Sequence, residues 1–156
     1  MTELVNSAAA DVSIRNADFD AGAEIDKLRR AGVGAIATFS GIVRDNTEAP
    51  GLIAMTLEHF PGMTEQEIQN IVDQARGRWP LTAVKVIHRV GRLLPQENIG
   101  FVGTASAHRQ AAFDSAFFIM DYLKTNATFW KLEEFENNNR WVIQDKKEIE
   151  ALEKWS

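Results

Sequence analysis

Residues 106–131 read SAHRQAAFDSAFFIMDYLKTNATFWK, and the fold turns on this stretch. Its apolar spacing predicts one long helix over roughly Ala107 to Thr125, with Ser106 as the N-cap. His108 and Arg109 then lie in the first turn, where unpaired backbone N–H groups and the helix dipole favour an anion. Basic side chains there oppose the dipole, which is a reason to expect a phosphate or carboxylate beside them. Lys124 falls at the C-terminal end of the same helix, and Lys131 follows Phe129 and Trp130 on a strand. An amine beside bulky apolar groups can be partly desolvated, and desolvation makes it chemically useful. Each cation also has an ordinary reading: Lys124 suits a helix C-terminus and can pair with Asp121, and Lys131 can be a surface lysine.

Helix length adds a constraint. His108 and Lys124 are sixteen positions apart, so a continuous helix separates them by roughly 24 Å. One small ligand within one subunit cannot touch both. If both ends serve one site, that site is shared across a symmetric dimer.

Working outward, Val12 to Ile14 reads as a short strand and Ala21 to Arg30 as a helix stopped by Gly32. Val33 to Val43 reads as a buried strand, with Gly41 at a bulge or a close backbone approach. Asp45 to Gly51 is turn chemistry, placing a loop directly after Arg44. Leu52 to Phe60 is the next strand. Thr64 and Glu67 form a capping box opening a helix that Pro80 ends. Ala83 to Val90 and Ile99 to Thr104 read as strands, separated by Gly91 to Asn98. Phe129 to Phe135 and Arg140 to Gln144 form a hairpin around residues 136–139, and a charged helix, Lys146 to Trp155, closes the chain. The mixed order predicts a single α+β domain over residues 1–156, with 1–30 and 145–156 peripheral.

The 156-residue chain is 45% hydrophobic and 25% charged with net charge −5, a globular composition without a general basic surface for nucleic acid. It has no cysteine, which excludes disulfides, thiolate metal sites and a cysteine nucleophile and is compatible with a reducing compartment. No signal peptide or membrane span is legible, so a soluble cytoplasmic protein is expected. Three scattered histidines without an HxH or HExxH pattern argue against a metal. His59 and His88 read as structural. Nucleotide loops are absent, and Ser40 lacks the G-x-S-x-G frame of a hydrolase. Arg44, at a strand end before a loop, is a candidate binding residue.

Five segments carry a resemblance: residues 39–44 (FSGIVR), 57–63 (LEHFPGM), 88–91 (HRVG), 106–109 (SAHR) and 121–133 (DYLKTNATFWKLE). In this order they resemble the large, catalytic subunit of molybdopterin synthase, over about Gly34 to Val142. The resemblance implies an α/β-hammerhead fold with a mixed, mainly antiparallel sheet. It implies sulfur transfer to cyclic pyranopterin monophosphate, giving the dithiolene of molybdopterin. The sulfur arrives on the C-terminal Gly-Gly thiocarboxylate of a small ubiquitin-like partner, which accounts for the missing cysteines; no cofactor is called for. The implied assembly is a heterotetramer with a central dimer of the large subunit. By motif, Lys124 and Lys131 are the catalytic lysines, Arg44 lines their pocket, and His108 with Arg109 is an anion-binding pair from the neighbouring subunit. Phe39 and Met120 are apolar walls. The chain departs from the family at Thr128, often Pro, and at Leu132, often basic; Lys146 or Lys147 serves as the family's C-terminal basic residue only with a register shift. A binding module or a scaffold dimer of the same fold are the competing classes, and Lys→Arg substitutions separate charge from acid/base chemistry.

Overall fold

The computed structural model describes residues 11–44, 51–136, 138–141 and 152–155. Three runs rich in β-branched and small residues, Ala35–Ile42 (β2), Leu81–Arg89 (β4) and Asn98–Ser106 (β6), pair antiparallel as the body of one sheet. The short Val12–Arg15 (β1) joins β4 in parallel, giving the order β1-β4-β6-β2. Leu52–His59 (β3), Gly91–Leu93 (β5), Phe129–Phe135 (β7) and Asn139–Trp141 (β8) form a second, wholly antiparallel sheet in the order β5-β3-β7-β8. The expected mainly antiparallel pairing is present, divided between two four-stranded sheets.

Period-2 alternation sorts the first sheet's side chains onto two faces. On one, Ile87 and Phe101 pack with Phe19 and Leu28 beside the helix Ala21–Lys27 (α1). On the other, Val84, Val86 and Val102 meet Ile68, Ile71, Val72 and Ala75 of Met63–Arg78 (α2) and Phe118 and Ile119 of Arg109–Asn126 (α3). Val43, Leu52, Met55, Leu57 and Leu93 form a separate core on the second sheet. Trp155 closes the first core from outside, edge-on to Trp79 and Phe118.

Several local expectations are corrected. α1 stops at Lys27 rather than Arg30, because the Leu28 and Arg29 N–H groups already donate to carbonyls three residues back and tighten the last turn. Thr64 and Glu67 are not a capping box. The Glu65 carboxylate accepts from the Gly62 N–H at 2.7 Å instead, freeing Thr64 and Glu67 for the connection between α3 and β7. Ser106 is the last residue of β6, not an N-cap, because its hydroxyl donates to the Pro80 carbonyl; the N-cap of α3 is His108. Asp121 does not pair with Lys124 but accepts from Trp155 Nε1 at 2.6 Å and pairs with Lys154 at 3.2 Å. The expected loop at residues 45–50 and most of the closing helix lie outside the described residues, as do Lys146 and Lys147.

The junction of β2, β6 and α3 leaves no space at Gly34. A Cβ built there would lie 2.3 Å from the backbone carbonyl oxygen of Ala107, while the Gly34 N–H donates to the Ser106 carbonyl at 2.9 Å. Gly34→Ala is expected to destabilise the fold by about 1–3 kcal/mol through overpacking. An unchanged denaturant midpoint would contradict that expectation.

Candidate functional site

The site begins with a row across the first sheet. Gly41 of β2 is in register with Gly100 of β6, and Gly100 with His88 of β4. Cross-strand partners share a face, so two adjacent strands contribute no side chain there and the third contributes an imidazole. The β2 register slips between Gly41 and Ile42, the irregularity expected from the glycine. Above this bare floor lies a cavity of about 510 Å³.

Four elements supply its charged walls, and Leu52 and Met55 of β3 add apolar lining. Phe39 and Arg44 come from β2 and the residues just after it, Met120 and Lys124 from the last turns of α3, Lys131 and Glu133 from β7, and Arg140 from β8. The sequence-predicted residues Phe39, Arg44, Met120, Lys124 and Lys131 therefore line one cavity. His108 and Arg109 do not: both are exposed at the opposite end of α3. The expected desolvation of the lysines is only partial, since Lys131 is half-buried while Lys124 and Arg44 are exposed.

The connection from Lys124 to Lys131 is fastened to α2. The Glu67 carboxylate accepts both the N–H of Thr128, at 2.8 Å, and its hydroxyl. The buried Thr64 hydroxyl donates to the Thr128 carbonyl at 3.0 Å and accepts from the Phe60 N–H. The proline that the resemblance led one to expect here has no N–H to give, so the Thr128 N–H bond to Glu67 is one that a proline would lack. Leu132 lies between Lys131 and Glu133, and alternation turns it to the opposite face of β7. The basic side chain that the resemblance led one to expect at Leu132 would therefore stand on the face of β7 that does not line the cavity.

Sequence reasoning missed three cavity residues. Glu133 and Arg140 pair at 3.1 Å across the β7–β8 hairpin, and Arg140 also lies 5.1 Å over the Phe135 ring. His88, read as structural, lines the cavity. Its signal was positional: Val84, Val86 and His88 alternate along β4, so the histidine occupies an inward position at the strand's end. Burial lowers its pKa to about 4, opposed by its bond to the Arg89 carbonyl and reinforced by the positive charges of Lys124, His59 and Lys131. His59 ends β3 with Nε2 3.8 Å from Glu65, in line with its structural reading. Arg89 is buried and satisfied by the carbonyls of Asn16 and Asn98 and by Glu97, and so holds the end of β4 that carries His88. Among the described residues no cluster of histidine and carboxylate side chains has the makings of a metal site, and no helix is long and apolar enough to cross a membrane.

The chain is thus a two-sheet α+β domain whose cavity, between a helix C-terminus and a β-hairpin, is lined by Arg44, Lys124, Lys131 and Arg140. Residues 14–126 match the family model described as MoaE protein. The chain is 49% identical over 146 residues to the molybdopterin synthase catalytic subunit of Ralstonia nicotianae, covering 92% of this chain and 83% of that one. It is 51% identical over 122 residues to the subunit of that name from Escherichia coli K12, covering 78% and 81%. The molybdopterin cofactor biosynthesis protein E of Burkholderia multivorans superposes with a TM-score of 0.80 at 44% identity, over 94% of this chain and 96% of that one. A chain in the complex of subunits 1 and 2 of molybdopterin-converting factor from Helicobacter pylori shares the fold at 18% identity, with a TM-score of 0.73 over 85% and 90% of the two chains. The chain belongs to the MoaE family, whose α/β-hammerhead fold it has.

Proposed function

We propose that this protein is the catalytic subunit of a molybdopterin synthase, acting on cyclic pyranopterin monophosphate in the cytoplasm. The observation that carries the reading is the convergence of Lys124 and Lys131 with Arg44 on one cavity, in a chain closely related to proteins of that name. A small ubiquitin-like partner inserts its C-terminal thiocarboxylate beside the lysines; its sulfur bonds to a pterin side-chain carbon as an oxygen substituent leaves that carbon, and water then cleaves the acyl–sulfur bond, so that the sulfur stays on the pterin and the partner leaves with a C-terminal carboxylate. Two such deliveries complete the dithiolene.

Lys124, on the exposed last turn of α3, contacts the thiocarboxylate carbonyl and stabilises the negative charge that develops on attack. Lys131, on β7, orients the pterin or assists proton transfer. Phe39 and Met120 form apolar walls against the pterin or the inserted tail. Arg44 holds the phosphate together with His108 and Arg109 from a second copy of the chain, because α3 places its own pair about 24 Å from its own Lys124. The protein therefore works as a dimer, with a small subunit at each outer site. Mixing it with the thiocarboxylated partner and the cyclic pyranopterin is expected to yield dithiolene product. No product with an authentic, fully thiocarboxylated partner would sink the reading.

A further inference from the structure

The Gly41–Gly100–His88 row places one aromatic heterocycle on an otherwise bare floor, and its surroundings determine what that ring can do. His88 Nδ1 lies 2.8 Å from the Arg89 carbonyl oxygen. A carbonyl only accepts, so Nδ1 carries the ring proton. The ring stacks on Phe129, with centroids 3.8 Å apart and planes 17° from parallel. Phe129 follows Thr128, which Glu67 and Thr64 hold. The imidazole is thus fixed in both tautomer and plane. Among the described residues that bond to Arg89 is the ring's only hydrogen bond, and the ring borders the cavity. The edge that does not face the backbone carries Nε2.

We infer that His88 Nε2 is a permanent hydrogen-bond acceptor in the cavity, there to receive a ring N–H of the bound pterin and so determine which heterocycle fits. This rests on the reading of the cavity as the pterin site. Lys124, Lys131, Arg44 and Arg140 present only donors, so they suit the phosphate and the thiocarboxylate but cannot recognise a donor on the ligand. The Glu133 carboxylate is held to the β7–β8 hairpin by Arg140 through Oε1. His88 therefore adds a neutral acceptor, on the floor, to a mainly cationic wall. Proton capture would abolish that acceptor; burial and the charges of Lys124, His59 and Lys131 disfavour it, while the Arg89 carbonyl secures the tautomer. His88 in this role contacts substrate and sets specificity; it transfers no proton.

Two measurements test the assignment. With only three histidines in the chain, ¹⁵N spectra of histidine-labelled protein can be assigned by single substitutions. His88 is expected to be neutral at pH 7, protonated on Nδ1, with an Nε2 resonance that moves when the cyclic pyranopterin is added. An Nε2–H tautomer, or an Nε2 signal unmoved at saturation, overturns the inference without any variant of His88 having to fold. In the second, pterin dissociation constants are compared with those of ring-N-methylated analogues. One analogue is expected to bind wild type about fivefold more weakly, the scale of one hydrogen bond. His88→Phe, which keeps a stacking ring, should erase that discrimination, and His88→Gln, which keeps an acceptor, should restore part of it. Discrimination unchanged in His88→Phe also overturns the inference. Pterin binding weakened by Arg44→Ala and Lys124→Ala checks the cavity itself, so a silent His88 with sensitive Arg44 and Lys124 removes only this assignment.

Discussion

Lys124→Ala is expected to slow dithiolene formation by about two to four orders of magnitude, the range for losing a group that stabilises charge or moves a proton in the transition state, while leaving the fold intact. The two halves of that expectation have separate causes. Lys124 is exposed on the last turn of α3 and belongs to none of the packed cores. Its structural contribution is the favourable placement of a cation at a helix C-terminus, worth about 0.3–1 kcal/mol. Its chemical contribution comes from the cavity, where Lys131 from β7 and Arg44 from the end of β2 share the wall. Lys124→Arg sharpens the result. A guanidinium keeps the charge but holds its proton far more tightly and has a different shape. Substantial activity in Lys124→Arg would make Lys124 an electrostatic group, whereas loss matching alanine would make it a proton carrier or a closely positioned donor. Near-wild-type turnover by Lys124→Ala would remove it from the mechanism.

Part of the candidate site was legible in local pattern: the α3 periodicity placed Lys124 at the helix's C-terminal end, and the small-residue strand running up to Arg44 was legible with its irregularity at Gly41. Phe39 and Met120 were singled out by the family resemblance and not by periodicity. What escaped notice depends on pairing between distant segments. Register alone puts Gly41, Gly100 and His88 side by side, and no local window contains all three. β5 is three residues long, too short to show alternation, so the division into two sheets was not legible. The capping errors share a cause as well. Thr64, Glu67 and Ser106 are good cap residues by type, but each is bonded to a segment remote in sequence: Thr128 for the first two and Pro80 for the third. A hydroxyl or carboxylate with two competing uses takes the one the tertiary structure offers, and local propensity does not see that choice.

The second large effect expected is recovery of activity from two inactive chains. Lys124→Ala and Arg109→Ala are each expected to be severely impaired as homodimers, because every site lacks either its lysine or the guanidinium from the neighbouring copy. Geometry separates these defects: α3 runs from Arg109 to Asn126, so its first turn and Lys124 cannot reach one small ligand within a single chain. In a dimer containing one chain of each kind, the site on the Arg109→Ala chain has its own Lys124 and its neighbour's intact Arg109. The other site has neither. A heterodimer isolated through two different affinity tags should therefore turn over at about half the wild-type rate, and a randomly exchanged mixture at about one quarter. A structural loss in either variant would not be repaired by pairing, so recovery is specific to a shared site. If the purified heterodimer is as inactive as its parents, the helix ends do not serve a common ligand. The anion-binding chemistry at His108 and Arg109 then belongs to some other contact. Recovery at the expected fraction would show instead that the same helix closes two active sites, with Lys124 in one and His108 and Arg109 in the other.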